Sequence, residues 1–202
     1  MHAQPRRSIG ERDRSVEVSG PEGNFTITAD HIILATGSRP ITVPGFVVDN
    51  QRIHDSTGGL AFREVPGRLT VIGGGYIGLE LGIMWRKPGA QVTVVEFTDQ
   101  LLPGNDPELV AVVARKLKKL GVEVYLQHKA LRYEDSDGGL KLWIVPRSAD
   151  GQKDKELAIA TDHILVTVGR RPNSESRGLE QVGVQVDQRG FIVVDKQQRT
   201  SV

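Results

Sequence analysis

Apolar residues along this chain fall into short runs separated by glycine and proline. Leu69-Thr70-Val71-Ile72 is an apolar run of strand length, followed by three glycines and an apolar stretch from Tyr76 to Trp85 long enough for a helix. Gln91-Val92-Thr93-Val94-Val95-Glu96 is a second strand-like run, and Val122-Glu123-Val124-Tyr125-Leu126 a third. Between these two, Leu109, Val110, Val113, Leu117 and Leu120 mark one apolar helix face. Asp106-Pro107-Glu108 starts that helix, with Asp as N-cap and Pro at the first helical position. Arg115, Lys116, Lys118 and Lys119 suit its C-terminal dipole end and read as a solvated face, not a nucleic-acid patch. This alternation predicts an α/β fold built on a Rossmann-like βαβ parallel sheet. The Tyr76 helix is apolar on nearly every side, so burial against the sheet and under a second cover is expected. Lys87-Pro88-Gly89 ends it.

The pattern changes from Ala130 to Ala160. Leu131 to Glu134 and Leu140 to Val145 flank the turn Asp135-Ser136-Asp137-Gly138-Gly139, and Ala149-Asp150-Gly151 turns into Glu156 to Ile159. An antiparallel β-meander inserted after the third parallel strand is predicted. Asp162 to Val168 then supplies a further parallel strand. Residues 15–34 read as an antiparallel element with strands at Ser15 to Val18, Phe25 to Thr28 and His31 to Leu34. Asp55-Ser56-Thr57 can cap a short helix from Gly58 to Phe62. Short strand patterns lie around Val182 to Val186 and Phe191 to Val194. The first dozen residues are polar and arginine-rich, so mobility is expected there.

Gly73, Gly75 and Gly78 fit G-x-G-x-x-G between the first strand and its helix. In that pattern the first glycine permits the tight turn, the second lets backbone approach a pyrophosphate, and the third packs helix on strand. Free N–H groups and the dipole at the helix start favour phosphate. Glu96 ends the next strand about twenty residues on, where a ribose-binding carboxylate belongs. The competing bland reading is a strand–helix turn whose glycines serve packing alone.

Composition narrows the picture further. With 26 basic against 25 acidic residues, nothing points to a nucleic-acid or membrane surface. No apolar run approaches a membrane span. The start lacks the apolar core of a signal peptide, so a cytoplasmic location is expected. There is no cysteine, so this chain holds no disulfide, thiolate metal site or cysteine nucleophile. The five histidines (His2, His31, His54, His128, His163) show no metal-ligand spacing; each reads as surface or structural, and no metal site is expected.

Four ordered motifs carry a resemblance: Ala35-Thr36-Gly37-Ser38, Gly73 to Glu80, Val95-Glu96-Phe97, and Val168-Gly169-Arg170-Arg171-Pro172-Asn173. From about residue 10 onward, the chain resembles the pyridine-nucleotide disulfide oxidoreductases, in particular the dihydrolipoyl dehydrogenases. Leu101-Leu102-Pro103-Gly104, Asp106 to Leu109, and Arg189-Gly190-Phe191-Ile192 before Val194-Asp195 add to that likeness. The resemblance implies residues 1–38 as a remnant of a split FAD-binding domain, 39–171 as a NAD-binding domain, and 172–202 as the start of a returning FAD-domain segment. It implies NAD contacts at Gly73, Gly74, Gly75, Tyr76, Ile77, Gly78, Leu79, Glu80, Glu96, Ala130 and Gly169, and a FAD-contacting turn at Thr36, Gly37 and Ser38. Tyr76 corresponds to a ring that covers the nicotinamide pocket in some relatives. Glu80 corresponds to a carboxylate whose flavin-side lysine partner is missing here, so it is expected to be solvated or locally rearranged.

The family's redox-active cysteine pair, its N-terminal FAD fingerprint and its dimerisation domain with a catalytic His-Glu pair have no match here. The resemblance therefore implies a NAD(H)-binding part of a flavoprotein that passes electrons from dihydrolipoamide through a disulfide and FAD to NAD. The parent would be a homodimer within 2-oxo acid dehydrogenase complexes. By itself the part is expected to be monomeric and inactive, with no catalytic residue of its own. NAD is expected over NADP, because Glu96 repels a 2′-phosphate and Phe97 and Thr98 follow it with no neighbouring arginine. Two alternatives remain: a stand-alone NAD-binding regulatory module, and the same domain of another NADH-dependent flavoprotein such as a mercuric or glutathione-type reductase. The abrupt end at Val202 and the lack of cysteine favour the first reading over the regulatory module.

Overall fold

The computed structural model describes residues 6–9, 14–175 and 178–202. In chain order the first strands are β1 (Arg6–Ile9), β2 (Ser15–Gly20), β3 (Gly23–Thr28) and β4 (Ser38–Pro40). Next come β5 (Ile53–His54), α1 (Ser56–Leu60), β6 (Arg68–Ile72), α2 (Tyr76–Arg86), β7 (Gln91–Val95), α3 (Pro107–Lys119) and β8 (Glu123–Tyr125). Then follow β9 (His128–Ser136), β10 (Gly139–Pro146), β11 (Leu157–Thr161), β12 (His163–Val166) and β13 (Arg170–Pro172). The chain forms two units: Pro40–Gly169, and Met1–Arg39 together with Arg170–Val202.

In the Pro40–Gly169 unit five strands run parallel in the order β5-β12-β6-β7-β8. Successive side chains of a strand point to opposite faces, and this splits the apolar runs between two cores. Leu69 and Val71 of β6, Val92 and Val94 of β7, and Leu165 of β12 face one way, onto Leu79 and Leu81 of α2 and Leu117 of α3. Ile72, Val95, Ile164 and Val166 face the other way, onto Phe46 and onto Leu140, Leu142 and Ile144 of β10. The antiparallel sheet β11-β10-β9 is the expected meander, and it covers the face that the helices leave open. Runs apolar at every position are explained by these two covers.

Helix ends follow their caps. The Asp55 carboxylate accepts from the Thr57 and Gly58 N–H groups at 2.9 Å each, so α1 begins at Ser56, two residues earlier than expected. Asp106 accepts from the Glu108 N–H at 2.8 Å and starts α3 with Pro107 in its first turn, as predicted. On α3 Val110 and Leu117 are buried, but Leu109 is exposed: it lies in the first turn at the edge of the apolar stripe. The expectation that α2 is covered on all sides also fails. Gly78, Leu79, Leu81 and Gly82 are buried, whereas Tyr76, Glu80 and Met84 are exposed. A short α1 covers only part of the outer side, with the Trp85 indole N–H donating to the Gly59 carbonyl at 2.8 Å.

In the other unit β1, β2 and β3 form an antiparallel sheet. Within the first dozen residues, expected to be mobile, Arg6–Ile9 pairs with β2; residues 1–5 and 10–13 lie outside the described residues. His31 to Leu34 form no strand, and Ile33 is 89% exposed. An apolar run becomes a strand only where a neighbour accepts its hydrogen bonds, and none among the described residues does. The expected tail strands reduce to one bridge, Val186 with Ile192, above buried Leu179 and Val184. β4 pairs with β13.

Strand pairing also unites two histidines 109 residues apart. His54 and His163 lie on neighbouring parallel strands, and His54 Nε2 is 3.0 Å from His163 Nδ1. Phe62 packs against both rings, edge-on to His54 at 4.5 Å between centroids. The buried His54 Nδ1 has no hydrogen-bond partner. Burial lowers the pKa of both imidazoles, and the charge of His163 further opposes that of His54. Asp49, Asp55 and Asp162 pull the other way, and Arg52 adds to the lowering at His163. The unfolded chain therefore binds more protons than the folded one once pH drops below the ordinary imidazole value of 6.5. Stability is expected to be full above that pH and to decline as pH falls from about 6.5 toward 5. Thermal unfolding followed by circular dichroism over this range checks it; a His163→Gln variant should show a flatter decline.

Candidate functional site

The chain passes from β6 through α2 to β7 and β8 on one side, and β12 returns on the other side of β6. The strand order thus reverses at β6, and in open parallel sheets ligands bind at such a reversal, beyond the carboxyl ends. Three predicted site residues gather at those ends: the glycine bend after β6, Glu96 after β7, and Gly169 beyond β12.

The bend is defined by missing β-carbons. Gly73 has φ +106°, and a Cβ there would lie 2.6 Å from the Thr167 carbonyl oxygen. A Cβ on Gly78 would run into the Gly73 carbonyl oxygen, and would come within 2.5 Å of Thr167 Oγ1 and 3.0 Å of Val71. A Cβ on Gly75 would meet nothing within 4 Å. The first and third glycines are therefore structural, while the second faces open space at the N-cap of α2. The Leu79 N–H already donates to the Gly75 carbonyl at 3.0 Å, closing the first helical turn. The N–H groups of Tyr76, Ile77 and Gly78 precede that bond and remain available at the helix start.

Glu96 is only 6% exposed. Its Oε2 accepts from the Gly74 N–H at 2.6 Å, and its Oε1 accepts from the Thr98 N–H at 2.7 Å with the Thr98 hydroxyl also 2.7 Å away. These contacts take three of the roughly four acceptor positions of a carboxylate. The carboxylate thus ties the end of β7 to the bend after β6. The Gly73 N–H donates to the Val95 carbonyl and the Leu102 N–H to the Gly74 carbonyl, which closes the loop.

Other expected contacts divide. Tyr76 is 64% exposed. Glu80, one turn further on the same face, is exposed. Leu79 is buried in the helix-side core, and its N–H donates to the Gly75 carbonyl; the helical repeat turns it inward. Ile77 packs partly against the same core. Ala130 lies on β9 and packs against the meander-side core, two residues beyond His128, whose N–H donates to the Glu96 carbonyl at 3.0 Å. Gly169 is exposed with φ +126°, and its carbonyl accepts from the Ile41 N–H at 3.0 Å. In the other unit Thr36, Gly37 and Ser38 are engaged by the β13 segment. Asn173 donates to the Thr36 and Gly37 carbonyls, and Arg170 to the Ser38 carbonyl and hydroxyl.

One residue was missed. The Arg147 guanidinium carbon lies 5.3 Å from the ring centroid of Phe97, the residue after Glu96. An arginine thus lies against the residue that follows the acid, although no arginine neighbours Glu96 in sequence. Fifty residues separate the two, and no local sequence signal joins them.

A family model described as pyridine nucleotide-disulphide oxidoreductase matches residues 2–202. The dihydrolipoyl dehydrogenase of Geobacillus stearothermophilus is 44% identical over 188 residues, 93% of this chain and 38% of that protein. Among solved structures, the Cu(II) complex of the HOCl-induced flavoprotein disulfide reductase RclA of Escherichia coli is similar. It has a TM-score of 0.80 at 30% identity over 96% of this chain and 42% of that one. LpdA of Mycobacterium tuberculosis reaches 0.82 at 25% identity, covering 98% of this chain and 42% of that one. The chain thus spans about two fifths of the length of the relatives it matches. Among the described residues no helix is long and apolar enough to cross a membrane.

The glycines give a graded expectation. Gly78→Ala should lower stability by about 1–3 kcal/mol, because the added methyl meets backbone that cannot retreat. Gly75→Ala should leave the unfolding midpoint unchanged. Glu96→Ala should cost about 1–3 kcal/mol for each N–H left without an acceptor. Urea unfolding of the three variants measures this order.

Proposed function

The chain belongs to the pyridine nucleotide-disulphide oxidoreductase family, and on that premise we propose that Pro40–Gly169 is the NAD(H)-binding domain of a dihydrolipoyl dehydrogenase-like flavoprotein. The observation that carries this reading is the bend at Gly73–Gly78. It offers open space at Gly75, helix-start N–H groups and a positive dipole end at the one reversal of strand order. The pyrophosphate would lie against Gly75, Tyr76 and Ile77. The adenosine ribose would meet the remaining acceptor position of Glu96, and the nicotinamide end would run past Gly169 with the Tyr76 ring beside it. Glu96 favours NAD over NADP, because a 2′-phosphate brings a like charge to a buried carboxylate.

Family members bind FAD and NAD(H). In the proposed parent, electrons pass from dihydrolipoamide through a disulfide and FAD to NAD, and the present residues serve the last of these transfers. The proposed place of Thr36, Gly37 and Ser38 is a FAD-contacting turn. Holding the nicotinamide toward the flavin is the task assigned here; the sequence contains no cysteine to accept electrons from a thiol.

Calorimetric titration of the chain with NADH and NADPH tests the reading, together with a diaphorase assay in the presence of added FAD. Weak NADH binding, weaker NADPH binding, loss of both in Gly75→Ala, and no diaphorase turnover are expected. Absence of NADH binding, or NADH binding that Gly75→Ala leaves intact, overturns it.

A further inference from the structure

Resting on the reading of Glu96 as the adenosine-side acid, we infer that Arg147, seated on the Phe97 ring, sets how strongly this site rejects a 2′-phosphate.

The placement is built from backbone outward. The His128 N–H donates to the Glu96 carbonyl, the Gln127 N–H to the Thr98 carbonyl, and the Arg147 N–H to the Gln127 carbonyl, at 2.7–3.0 Å. This chain of hydrogen bonds fixes the end of β10 beside the residues that follow β7. From there the Arg147 side chain crosses to Phe97, whose ring is 51% exposed. A guanidinium over an aromatic face is held by the ring quadrupole and leaves its N–H groups directed outward. Among the described residues no carboxylate forms an ion pair with Arg147, whereas Arg39, Arg68 and Arg171 each have one and Arg132 has two.

The two charges have different freedom. Glu96 is fixed by the Gly74 and Thr98 donors, so its carboxylate cannot swing away from an incoming anion. Arg147 is exposed, and its guanidinium is free to turn toward one. A ribose with a free 2′-hydroxyl uses the carboxylate alone. A 2′-phosphate meets the same carboxylate but gains a mobile cation across the Phe97 ring. Arg147 thus narrows the preference for NADH over NADPH without reversing it.

Binding of NADH and NADPH to the 202-residue chain, and to its Arg147→Ala, Arg147→Lys and Phe97→Leu variants, decides the matter. Calorimetry is run at low and at physiological salt. Arg147→Ala should weaken NADPH about fivefold, the size of an exposed ion pair, and leave NADH within about twofold. Arg147→Lys should restore most of the NADPH affinity, because it keeps the charge. Phe97→Leu should reproduce part of the loss by unseating the guanidinium. Added salt should shrink the NADPH effect of Arg147→Ala. Equal weakening of both nucleotides, or no weakening of either, overturns the inference and leaves the nucleotide site standing. Failure of the unaltered chain to bind NADH overturns both.

Discussion

The site rests on a steric fact: where β6 turns into α2 against the end of β12, three backbone segments come too close to admit a β-carbon. Gly73 and Gly78 satisfy that restriction, and the Thr167 carbonyl and hydroxyl fill the space they leave. The approach directs the start of α2 at the mouth of the sheet. Without it the helix would stand further off, and its free N–H groups would no longer face the reversal of strand order. The open surroundings of Gly75 are the counterpart of the crowding at its two neighbours in the motif.

Glu96 extends this restriction to the next strand. By accepting from Gly74 and Thr98 it makes one buried carboxylate hold the bend and place a negative charge at the candidate site. A group so held discriminates by position, and the field around it is adjusted by residues from elsewhere. The meander has a part in both jobs. Its inward residues Leu140, Leu142 and Ile144 cover the sheet, and the turn after β10 carries Arg147 to the rim.

The elements that were legible in the sequence are those whose causes are local. Asp106-Pro107-Glu108 announces α3 because a cap acts within one turn. The glycine spacing announces the bend because the turn from β6 into α2 is local, although the backbone that crowds Gly73 is that of Thr167, beyond β12. The near-continuous apolar runs of β6, β7 and β12 announce a sheet with both faces covered. What was missed depends on partners remote in sequence. The His54–His163 contact exists only once β5 lies beside β12, and the Arg147–Phe97 contact only once β10 ends beside β7. His31 to Leu34 shows the converse: a strand-like composition with no neighbour to complete it. Leu109 shows that an apolar residue at the margin of a helical stripe is decided by the exact edge of the packing, which periodicity does not give.

The closing contact of the Pro40–Gly169 unit, between the Ile41 N–H and the Gly169 carbonyl at 3.0 Å, fastens entry and exit side by side. A module with paired doorposts of this kind behaves as a cassette. Its two chain ends leave side by side, about 5 Å apart, the spacing of two neighbouring strands. The bend at Gly73–Gly78 and its Glu96 tie lie wholly between those two ends.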